Sequence, residues 1–281
     1  MKRSALLAVA TLLLVQQAFA GPWLTSVSAA QKRAKEKKQL IFVDLFADWC
    51  GWCHRMEQEV FPSMAFQKAT ANKVLLRLNT DDAGEGTRFS QQFGVTSLPT
   101  FLLLTSDLTI AGVIRGYLPS DPFVQAMNET ESKYKDFRKR VSNESAIAND
   151  YQKRLDLAKE FRSRYALAES ENRLRQLIRE PGVPIKVRDD AYYELAFTQV
   201  MDRKYDASLK TLRDFSTVQN KGEAYERSRI LAGDIYLQQG KYADALDEFK
   251  KFKKAFPNSP LIANVDMVLP QLEKQVGGRV Q

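Results

Sequence analysis

The apolar positions of the chain follow two different periods, which divide it into two regions. Up to about residue 138, short apolar runs rich in β-branched residues alternate with polar helical stretches. The runs 39–46 and 73–82 have the length and composition of buried strands, and 100–117 divides near its middle into a hairpin. Beyond about residue 150 the strand pattern ends and apolar residues recur at helical spacing.

The first region predicts an α/β domain with a mixed sheet. A polar helix at 26–38 precedes the first strand, and helical patterns follow the cysteines at 54–61, recur at 84–94 and open again near Ser120 or Asp121. The predicted order after the leading helix is β-α-β-α-β-β-α, which is typical of a sandwich with helices on the sheet faces.

The second region predicts an all-α repeat domain. Small and aromatic residues at 227–260 resemble a tetratricopeptide repeat, in which large side chains pack against small ones with a period of about 34 residues. The segments 189–215 and 154–178 match the same template more loosely, and a capping helix follows. A generic helical bundle is the alternative. The predicted organisation is a signal peptide at 1–20, an α/β domain at 21–138, a linker at 139–150 and helical repeats at 151–281.

The N-terminus has the pattern of a secretory signal. Lys2 and Arg3 precede an apolar run from Ser4 to Val15, and Ala18-Phe19-Ala20 offers a small-x-small cleavage site. The run is shorter than the about 20 residues that a membrane-spanning helix needs. We therefore expect an exported, periplasmic protein, with a retained anchor as the alternative.

Charge adds little to this assignment. The formal net charge is +8, but the basic residues are interleaved with acidic ones along the whole chain. This pattern favours a solvated basic surface over a nucleic-acid interface.

The cysteines are more informative. The chain has only two, Cys50 and Cys53, separated by Gly51-Trp52. A disulfide that closes so small a loop removes little entropy from the unfolded chain, so stapling the fold is a poor explanation for the pair. We infer that these cysteines react.

Three reactive chemistries fit the string Cys-Gly-Trp-Cys-His. One is attachment of a c-type haem, but His54 is the only histidine and the α/β pattern leaves no place for a buried macrocycle. Metal delivery by Cys50, Cys53 and His54 lacks the ligands of a closed site. The remaining chemistry, a dithiol that exchanges with disulfides, explains the most residues.

A dithiol at this position has the supporting groups that it needs. The strand 39–46 ends just before Cys50, which places that sulfur at the N-terminus of the next helix, where a thiolate is favoured. Cys50 is then the attacking sulfur and Cys53 the resolving one. Asp44 is the one acid in an apolar strand, and we expect it beneath the dithiol to take up the proton of Cys53. An acid exposed at the strand end is the alternative.

The segment "TSLPTFLLL" supplies a second loop. Pro99, just before an apolar strand, marks a sheet edge or a turn and fits a cis bond after Leu98. The Leu98 backbone is placed to pair with an extended substrate segment.

The strings "IFVDLFADWCGWC", "VLLRLNTDD" and "FGVTSLPTFLLL" together resemble the thioredoxin superfamily. Within it they resemble the periplasmic C-terminal domain of the transmembrane thiol:disulfide interchange proteins. The resemblance covers nearly all of residues 39–125 and implies Cys50 as nucleophile, Cys53 as resolving thiol, Asp44 as buried acid and Pro99 as cis-proline.

Three neighbouring residues are further candidates for the site. Trp52 replaces the proline common between thioredoxin cysteines, and with Trp49 it is a candidate for contacting the substrate at the rim of the site. Trp49 in plain packing is the alternative. His54 is a candidate modulator of the thiolate, or an exposed helix residue near the site.

Two functions follow. The first is an exported thiol–disulfide oxidoreductase that reduces or isomerises protein disulfides, exchanging electrons with a membrane or periplasmic partner. It requires no cofactor or metal, since the Cys50–Cys53 disulfide is itself the redox group. The second is an interaction scaffold or chaperone-like protein in which the redox site is secondary. The repeats present a groove to a peptide or protein, and four residues are candidates to line it, with core packing as the alternative: Tyr193, Phe197, Ile230 and Leu237.

Overall fold

The computed structural model describes residues 22–218 and 221–277. The predicted signal peptide, residues 1–20, lies outside the described residues. Within them the chain forms four strands and twelve α-helices, together with one π-helical and one 3-10 segment. The strands are β1 Leu40–Phe46, β2 Lys73–Asn79, β3 Thr100–Leu104 and β4 Ile110–Arg115. The first five helices are α1 Val27–Lys37, α2 Gly51–Arg55, α3 Met64–Thr70, α4 Glu85–Gln92 and α5 Ser120–Ser142. The remaining helices are α6 Tyr151–Ser163, α7 Leu167–Arg179, α8 Ile185–Met201, α9 Tyr205–Val218, α10 Glu223–Gln238, α11 Tyr242–Ala255 and α12 Ile262–Gly277.

The chain divides into two compact units. The α/β unit comprises residues up to 107 and 111–132, and the helical unit comprises 108–110 and the residues from 133 onward. The predicted order, an α/β domain followed by a helical region, is confirmed.

The α/β unit is built on a mixed sheet with the strand order β2-β1-β3-β4. Strand β1 lies in the centre, parallel to β2 and antiparallel to β3. Because β1 is covered on both faces, it reads as a continuous apolar run rather than an alternating one, and Asp44 is its single exception.

Aromatic side chains fill one face of this sheet. Phe42 of β1 contacts Phe66 of α3 with ring centroids 5.4 Å apart, and Phe101 of β3 contacts Phe123 of α5 at 4.8 Å. All four rings are almost completely buried. Aromatic pairs at these separations add stability beyond the burial of their area, so α3 and α5 are held on this face of the sheet.

The helix predicted after the cysteines is more irregular than its sequence suggests. Residues Met56–Val60 form a π-helical turn continuous with α2, and the chain then turns at Phe61–Ser63 before α3 begins. Pro62 interrupts the helix because it has no N–H to donate. Ser63 then caps α3 by accepting a hydrogen bond from the Phe66 N–H at 3.2 Å.

The helical unit packs as consecutive pairs, and each pair joins two helices through a short turn: α6–α7, α8–α9 and α10–α11, followed by α12. The first helices of the pairs begin at Tyr151, Ile185 and Glu223. This spacing is near the tetratricopeptide period of about 34 residues. The fold of this region is consistent with a helical repeat domain.

Small-against-large packing is visible in the third pair. Gly233 of α10 lies so close to the Phe249 ring of α11 that a Cβ at position 233 would stand 2.6 Å from the ring atoms. In the second pair, the buried Ser208 hydroxyl of α9 donates to the Ala196 carbonyl of α8 at 2.8 Å. In these two pairs a small residue thus allows close approach of the neighbouring helix.

The junction between the units is helical. Helix α5 extends through Ser142, a 3-10 turn follows at Glu144–Ile147, and Asp150 caps α6 by accepting from the Lys153 N–H at 3.0 Å. The predicted linker, 139–150, therefore contains the end of one helix and a short 3-10 turn. The predicted boundary at 138 lies within α5, whereas the compact units divide between residues 132 and 133. Among the described residues, none of the helices has the length and apolarity that crossing a bilayer requires.

Candidate functional site

The two cysteines form a disulfide at the start of α2. Strand β1 ends at Phe46, and after a short turn Cys50 occupies the N-cap position of the helix. Its sulfur accepts a hydrogen bond from the Cys53 N–H at 3.2 Å. The unpaired N–H groups and positive end of a helix stabilise negative charge there, so the reduced form of Cys50 is placed where a thiolate is favoured.

The disulfide lies in an apolar pocket. Cys50 is 4% exposed and Cys53 2%. Both pack with Ala47, and the partly buried side chains of Phe46 and Leu98 close the cluster. The contact with Leu98 brings the loop before β3 against the sulfurs.

This loop has the geometry that the sequence predicts. The Leu98–Pro99 peptide bond is cis, and the Pro99 carbonyl accepts a hydrogen bond from the Gly116 N–H at 2.9 Å. Pro99 is buried, whereas Leu98 is half-buried. Leu98 thus lies at the boundary between the disulfide and solvent.

Asp44 is buried in the middle of the sheet, not exposed at a strand end. It is 2% exposed and lies opposite Arg77 of β2 and Phe101 of β3. Burial raises the pKa of Asp44 to about 7, the positive charge of Arg77 lowers it, and the negative charge of Glu57 raises it. Because strand residues alternate between faces, Asp44 shares its face with Phe46, which packs on the cysteines.

Arg77 and Glu57 complete a charged cluster that the sequence analysis missed. The Arg77 guanidinium forms an ion pair with Asp44 at 3.1 Å and a second with Glu57 of the π-helical turn. It also lies over the Phe46 ring, 4.0 Å from the centroid. One guanidinium therefore links the buried acid, a half-buried acid and the ring against the disulfide. The signal available in the sequence was a lone arginine in the apolar run "KVLLRLN".

Trp52 belongs to a surface cluster that includes another residue the sequence analysis missed. Its ring stacks on Tyr117 at 5.4 Å, and the Arg55 guanidinium lies 4.5 Å from the Tyr117 centroid. Glu59 holds this arrangement by pairing with Arg55 at 2.9 Å and accepting from the Tyr117 hydroxyl. Trp52 remains 54% exposed, so its indole offers a fixed apolar surface beside the disulfide.

Trp49 and His54 lie on the outer side of the site. Trp49 is 72% exposed, and its indole N–H donates to Asp81. The His54 ring donates from Nε2 to the Asp48 carbonyl at 2.8 Å, and its Nδ1 lies 3.9 Å from Glu57. Trp49 is therefore an exposed residue whose indole is oriented by Asp81, and His54 is an exposed residue of α2 beside the charged cluster.

The four groove candidates fall into two pairs. Tyr193 and Phe197 of α8 are half-buried and stack with centroids 6.2 Å apart. Ile230 and Leu237 of α10 are half-buried and pack against the core cluster that contains Phe249. Tyr193 and Phe197 likewise pack against a core cluster, the one that contains Leu209 and Leu231, so all four candidates serve the core in part. No group of three or more His, Cys, Asp or Glu side chains with metal-binding geometry occurs among the described residues.

Comparison with known proteins finds similarity over the segment that carries this site. A family model described as a thioredoxin-like domain matches residues 27–131. The chain is 31% identical over 113 residues to the thiol:disulfide interchange protein DsbD of Pasteurella multocida, which covers 39% of this chain and 20% of that protein. It is 31% identical over 101 residues to the DsbD protein of Yersinia pestis, covering 34% of this chain and 17% of that protein.

The curated relatives are much longer than the matched segment, and the chain spans a fifth or less of their length. Among solved structures, the oxidised C-terminal domain of Neisseria meningitidis DsbD is 16% identical with a TM-score of 0.35. The match covers 39% of this chain and 99% of that domain.

The matched segment coincides with the sheet and helices that carry Cys50, Cys53, Asp44 and Pro99. Residues 27–131 of this chain are a thioredoxin-like domain with homologues in the thiol:disulfide interchange proteins, followed by a helical region.

Proposed function

We propose that this protein is an exported, periplasmic thiol–disulfide oxidoreductase that reduces or isomerises protein disulfides, and that its helical unit binds the client or partner. The observation that carries the proposal is the Cys50–Cys53 disulfide at a helix N-terminus, in a domain that also buries a carboxyl group with a pKa of about 7. Perturbed acids beside reactive groups are typical of functional sites.

The first step is attack on the substrate. The Cys50 thiolate attacks one sulfur of a substrate disulfide, the S–S bond breaks, and the other substrate sulfur leaves as a thiolate that takes a proton from water. Cys50 is then joined to the substrate in a mixed disulfide. The exposed indoles of Trp49 and Trp52 and the Leu98 backbone are the proposed contacts for the bound segment.

The second step resolves the mixed disulfide. The Asp44 carboxylate accepts the proton of the Cys53 thiol, and the Cys53 thiolate attacks the sulfur of Cys50. The bond to the substrate breaks, the second substrate sulfur leaves as a thiolate that takes up a proton from Asp44 or water, and the Cys50–Cys53 disulfide forms. A carboxyl group with a pKa near 7 can both accept and return a proton at neutral pH. Arg77 acts through Asp44 as a positioning residue.

The cycle moves two electrons from the dithiol to the substrate. A membrane or periplasmic dithiol protein must therefore supply two electrons to regenerate the reduced pair. No further cofactor enters this scheme, and His54 would modulate the site through its charge next to Glu57.

The test is reduction of insulin by the chain that begins at Gly21, with dithiothreitol as electron source. We expect a rate well above that of dithiothreitol alone, and its loss in Cys50→Ser. Cys53→Ser is the matched control, since it retains the attacking sulfur and is expected to accumulate a mixed disulfide detectable by mass spectrometry. Wild-type activity in Cys50→Ser, or no acceleration by the wild type, would refute the proposal.

The direction of electron flow has its own measurement. Equilibration of the Cys50–Cys53 pair with glutathione yields its reduction potential. A reductase is expected to have a reduction potential close to that of thioredoxin, about −270 mV. A potential of about −120 mV indicates a disulfide donor.

A second function is favoured by the stacked pair Tyr193–Phe197 on α8. In this alternative the protein is an interaction scaffold or chaperone-like protein, and the redox site is secondary. A Cys50→Ser, Cys53→Ser variant that fully restores a deletion strain would favour the scaffold. Failure of that variant to restore it favours the enzyme.

A further inference from the structure

One face of the helical unit combines aromatic rings with paired charges. It is formed by the first helices of the three pairs, α6, α8 and α10, which pack side by side. The aromatic pair on this face is Tyr193 and Phe197, whose rings are nearly parallel, with 11° between their planes. Both rings are half-buried, so one part of each faces solvent.

Each ring is covered by an arginine from a neighbouring helix. Arg162 of α6 lies 4.8 Å from the Phe197 centroid and pairs with Glu194 at 2.8 Å. Arg227 of α10 lies 4.4 Å from the Tyr193 centroid and pairs with Asp190 at 2.9 Å. Each guanidinium thus has a carboxylate partner, and the two pairs leave no net charge on this part of the face.

Asp234 differs from the other acids of the face. It lies on the same side of α10 as Arg227, Ile230 and Leu237, because residues three, four and seven apart share one face of a helix. Asp234 is half-buried, and within the described part of the chain its carboxylate has no hydrogen bond or ion pair. Burial raises the pKa of Asp234, as expected for a carboxylate that lacks a neighbouring cation.

The charge of Asp234 acts on the Tyr193 ring of the neighbouring helix. Burial raises the pKa of the Tyr193 hydroxyl, Arg227 lowers it, and Asp234 is among the charges that act on it. A cation bound between a carboxylate and an aromatic ring is attracted by both groups. It forms an ion pair with the carboxylate and lies against the negative face of the ring.

A cavity continues the face toward the first turns of α8 and α10. Its volume is about 630 Å³, and Glu194 and Arg227 lie in its wall together with Lys159 and Asp190. It therefore shares Asp190, Glu194 and Arg227 with the ion pairs that flank the two rings.

We propose that this face binds an extended segment of a partner protein, and that a lysine or arginine side chain of that segment pairs with Asp234 beside the Tyr193 ring. The proposal rests on the partner-binding role suggested above for the helical unit and names the chemistry of the partner. It makes Asp234, which the sequence analysis did not single out, the residue that determines specificity.

The shape of the face favours a polypeptide over a small amine. Neighbouring helices pack about 8–10 Å apart, so three of them span a surface that matches about six residues of extended chain at about 3.3 Å each. A free amine would fill the position at Asp234 and leave the half-buried Tyr193, Ile230 and Leu237 uncovered.

The experiment is selection from a displayed library of random, cysteine-free 12-residue peptides on the chain that begins at Gly21. A library without cysteine cannot be captured as a mixed disulfide, and repeating the selection on Cys50→Ser, Cys53→Ser keeps the result independent of the redox site. We expect lysine or arginine to be enriched at one fixed position of the selected peptides. Affinity of a selected peptide should fall about tenfold or more in Asp234→Asn, as is typical when one partner of a desolvated charge pair is removed.

Asp244→Asn is the matched control. It removes the same charge from an exposed position in the first turn of α11 and should leave the affinity unchanged. Replacing the enriched lysine of the peptide by norleucine should weaken binding to the wild type but not to Asp234→Asn.

Three outcomes would overturn the proposal. If selected peptides lack an enriched basic position, the face binds partners by another chemistry. If they carry one but bind Asp234→Asn equally well, the basic residue sits elsewhere. If no peptide is selected while N-acetyl-lysine methylamide binds in an Asp234-dependent way, the ligand is a small amine. Insulin reduction is measured separately, so its failure and the failure of this proposal are distinguishable.

Discussion

Each of the two units of this protein contains a carboxylate whose pKa is raised by burial. The two carboxylates differ in burial and in ion pairing. In the α/β unit Asp44 is 2% exposed and has Arg77 at 3.1 Å. In the helical unit Asp234 is only half-buried and has no cationic partner among the described residues. Asp44 thus has a countercharge within its own chain, whereas Asp234 is free to pair with a cation of another molecule.

The two acids differ in how the free-energy cost of burying a charge is offset. A desolvated carboxylate destabilises the folded state unless it is paired. Asp44 retains a pKa near neutrality despite its arginine, which suits internal proton transfer. Asp234, on a surface, gains its partner only on binding.

The cores of the two units differ as well. The α/β unit surrounds Phe42 and Phe101 with one aromatic cluster, whereas the helical unit buries its apolar side chains in successive clusters along the helix pairs. Damage to a stack of pairs is expected to stay local, because each pair contacts only its neighbours.

The largest effect is expected from Asp44→Asn. Loss of the proton acceptor should slow insulin reduction at pH 7 by roughly tenfold or more.

The same Asp44→Asn change should stabilise the protein in alkali. The carboxyl titrates at its ordinary 3.8 when unfolded and at about 7 when folded, so the folded state binds the extra proton between these values and stability falls as pH rises through them. Removing this loss should raise the free energy of unfolding above pH 7 by roughly 2–4 kcal/mol.

Urea denaturation at pH 5 and pH 8 measures the second effect. Asp48→Asn is the matched control, since Asp48 is exposed two residues before Cys50 and should change neither rate nor stability. A variant at position 44 that is less stable than the wild type at pH 8 would contradict the inference that the cost of burying Asp44 exceeds the gain from its pairing with Arg77.

Gly233→Val tests whether the helical unit is packed as described. The new side chain would meet the Phe249 ring, since even its Cβ falls 2.6 Å from ring atoms. Overpacking of this kind costs about 1–3 kcal/mol and should lower the thermal midpoint of helix loss measured by circular dichroism. Ala243→Val, at an exposed position of α11, is the control for β-branching alone. Reduction of a small disulfide such as glutathione disulfide should persist, and its loss would show that the two units are not separable in this respect.

Arg77→Gln sharpens the contrast between paired and unpaired acids. Without the guanidinium the pKa of Asp44 should rise above 7, because the neighbouring positive charge lowers it. The pH at which the reduction rate reaches half its maximum should therefore rise by about one unit. Arg115→Gln removes a charge from an exposed position at the end of β4 and should leave the profile in place. If the pH profile of Arg77→Gln is unshifted, the protonation of Asp44 does not control the reduction rate.

The smallest effect is expected from Asp234→Asn on stability alone. The charged carboxylate is half-buried without a partner, so its neutral replacement should raise the free energy of unfolding by about 0.5 kcal/mol, a small value because solvent screens the exposed part. Thermal unfolding of this variant and of Asp244→Asn at neutral pH provides the comparison. A loss of stability in Asp234→Asn would mean that the acid already has a favourable partner.

Much of the fold follows from patterns that are local in the sequence. The apolar run at 39–46 and the hairpin at 100–117 appear as β1, β3 and β4, because strand formation depends on a short stretch of side chains. The helix after the cysteines was less regular than predicted, since Pro62 ends it and a π-helical turn precedes the break. Residues 139–142 of the predicted linker lie in α5, because polar and small residues also occupy exposed helix faces.

The sequence by itself determined the period of each region, the dithiol with its helix N-terminus, and the presence of one acid within an apolar strand. These features arise from residues a few positions apart, for which spacing decides geometry. Only the tertiary structure decided that Arg77 pairs with Asp44, that Tyr117 stacks on Trp52, and that Asp234 remains unpaired beside Tyr193. Those relations depend on which strands and helices become neighbours, and that outcome reflects the packing of the whole unit rather than any one segment.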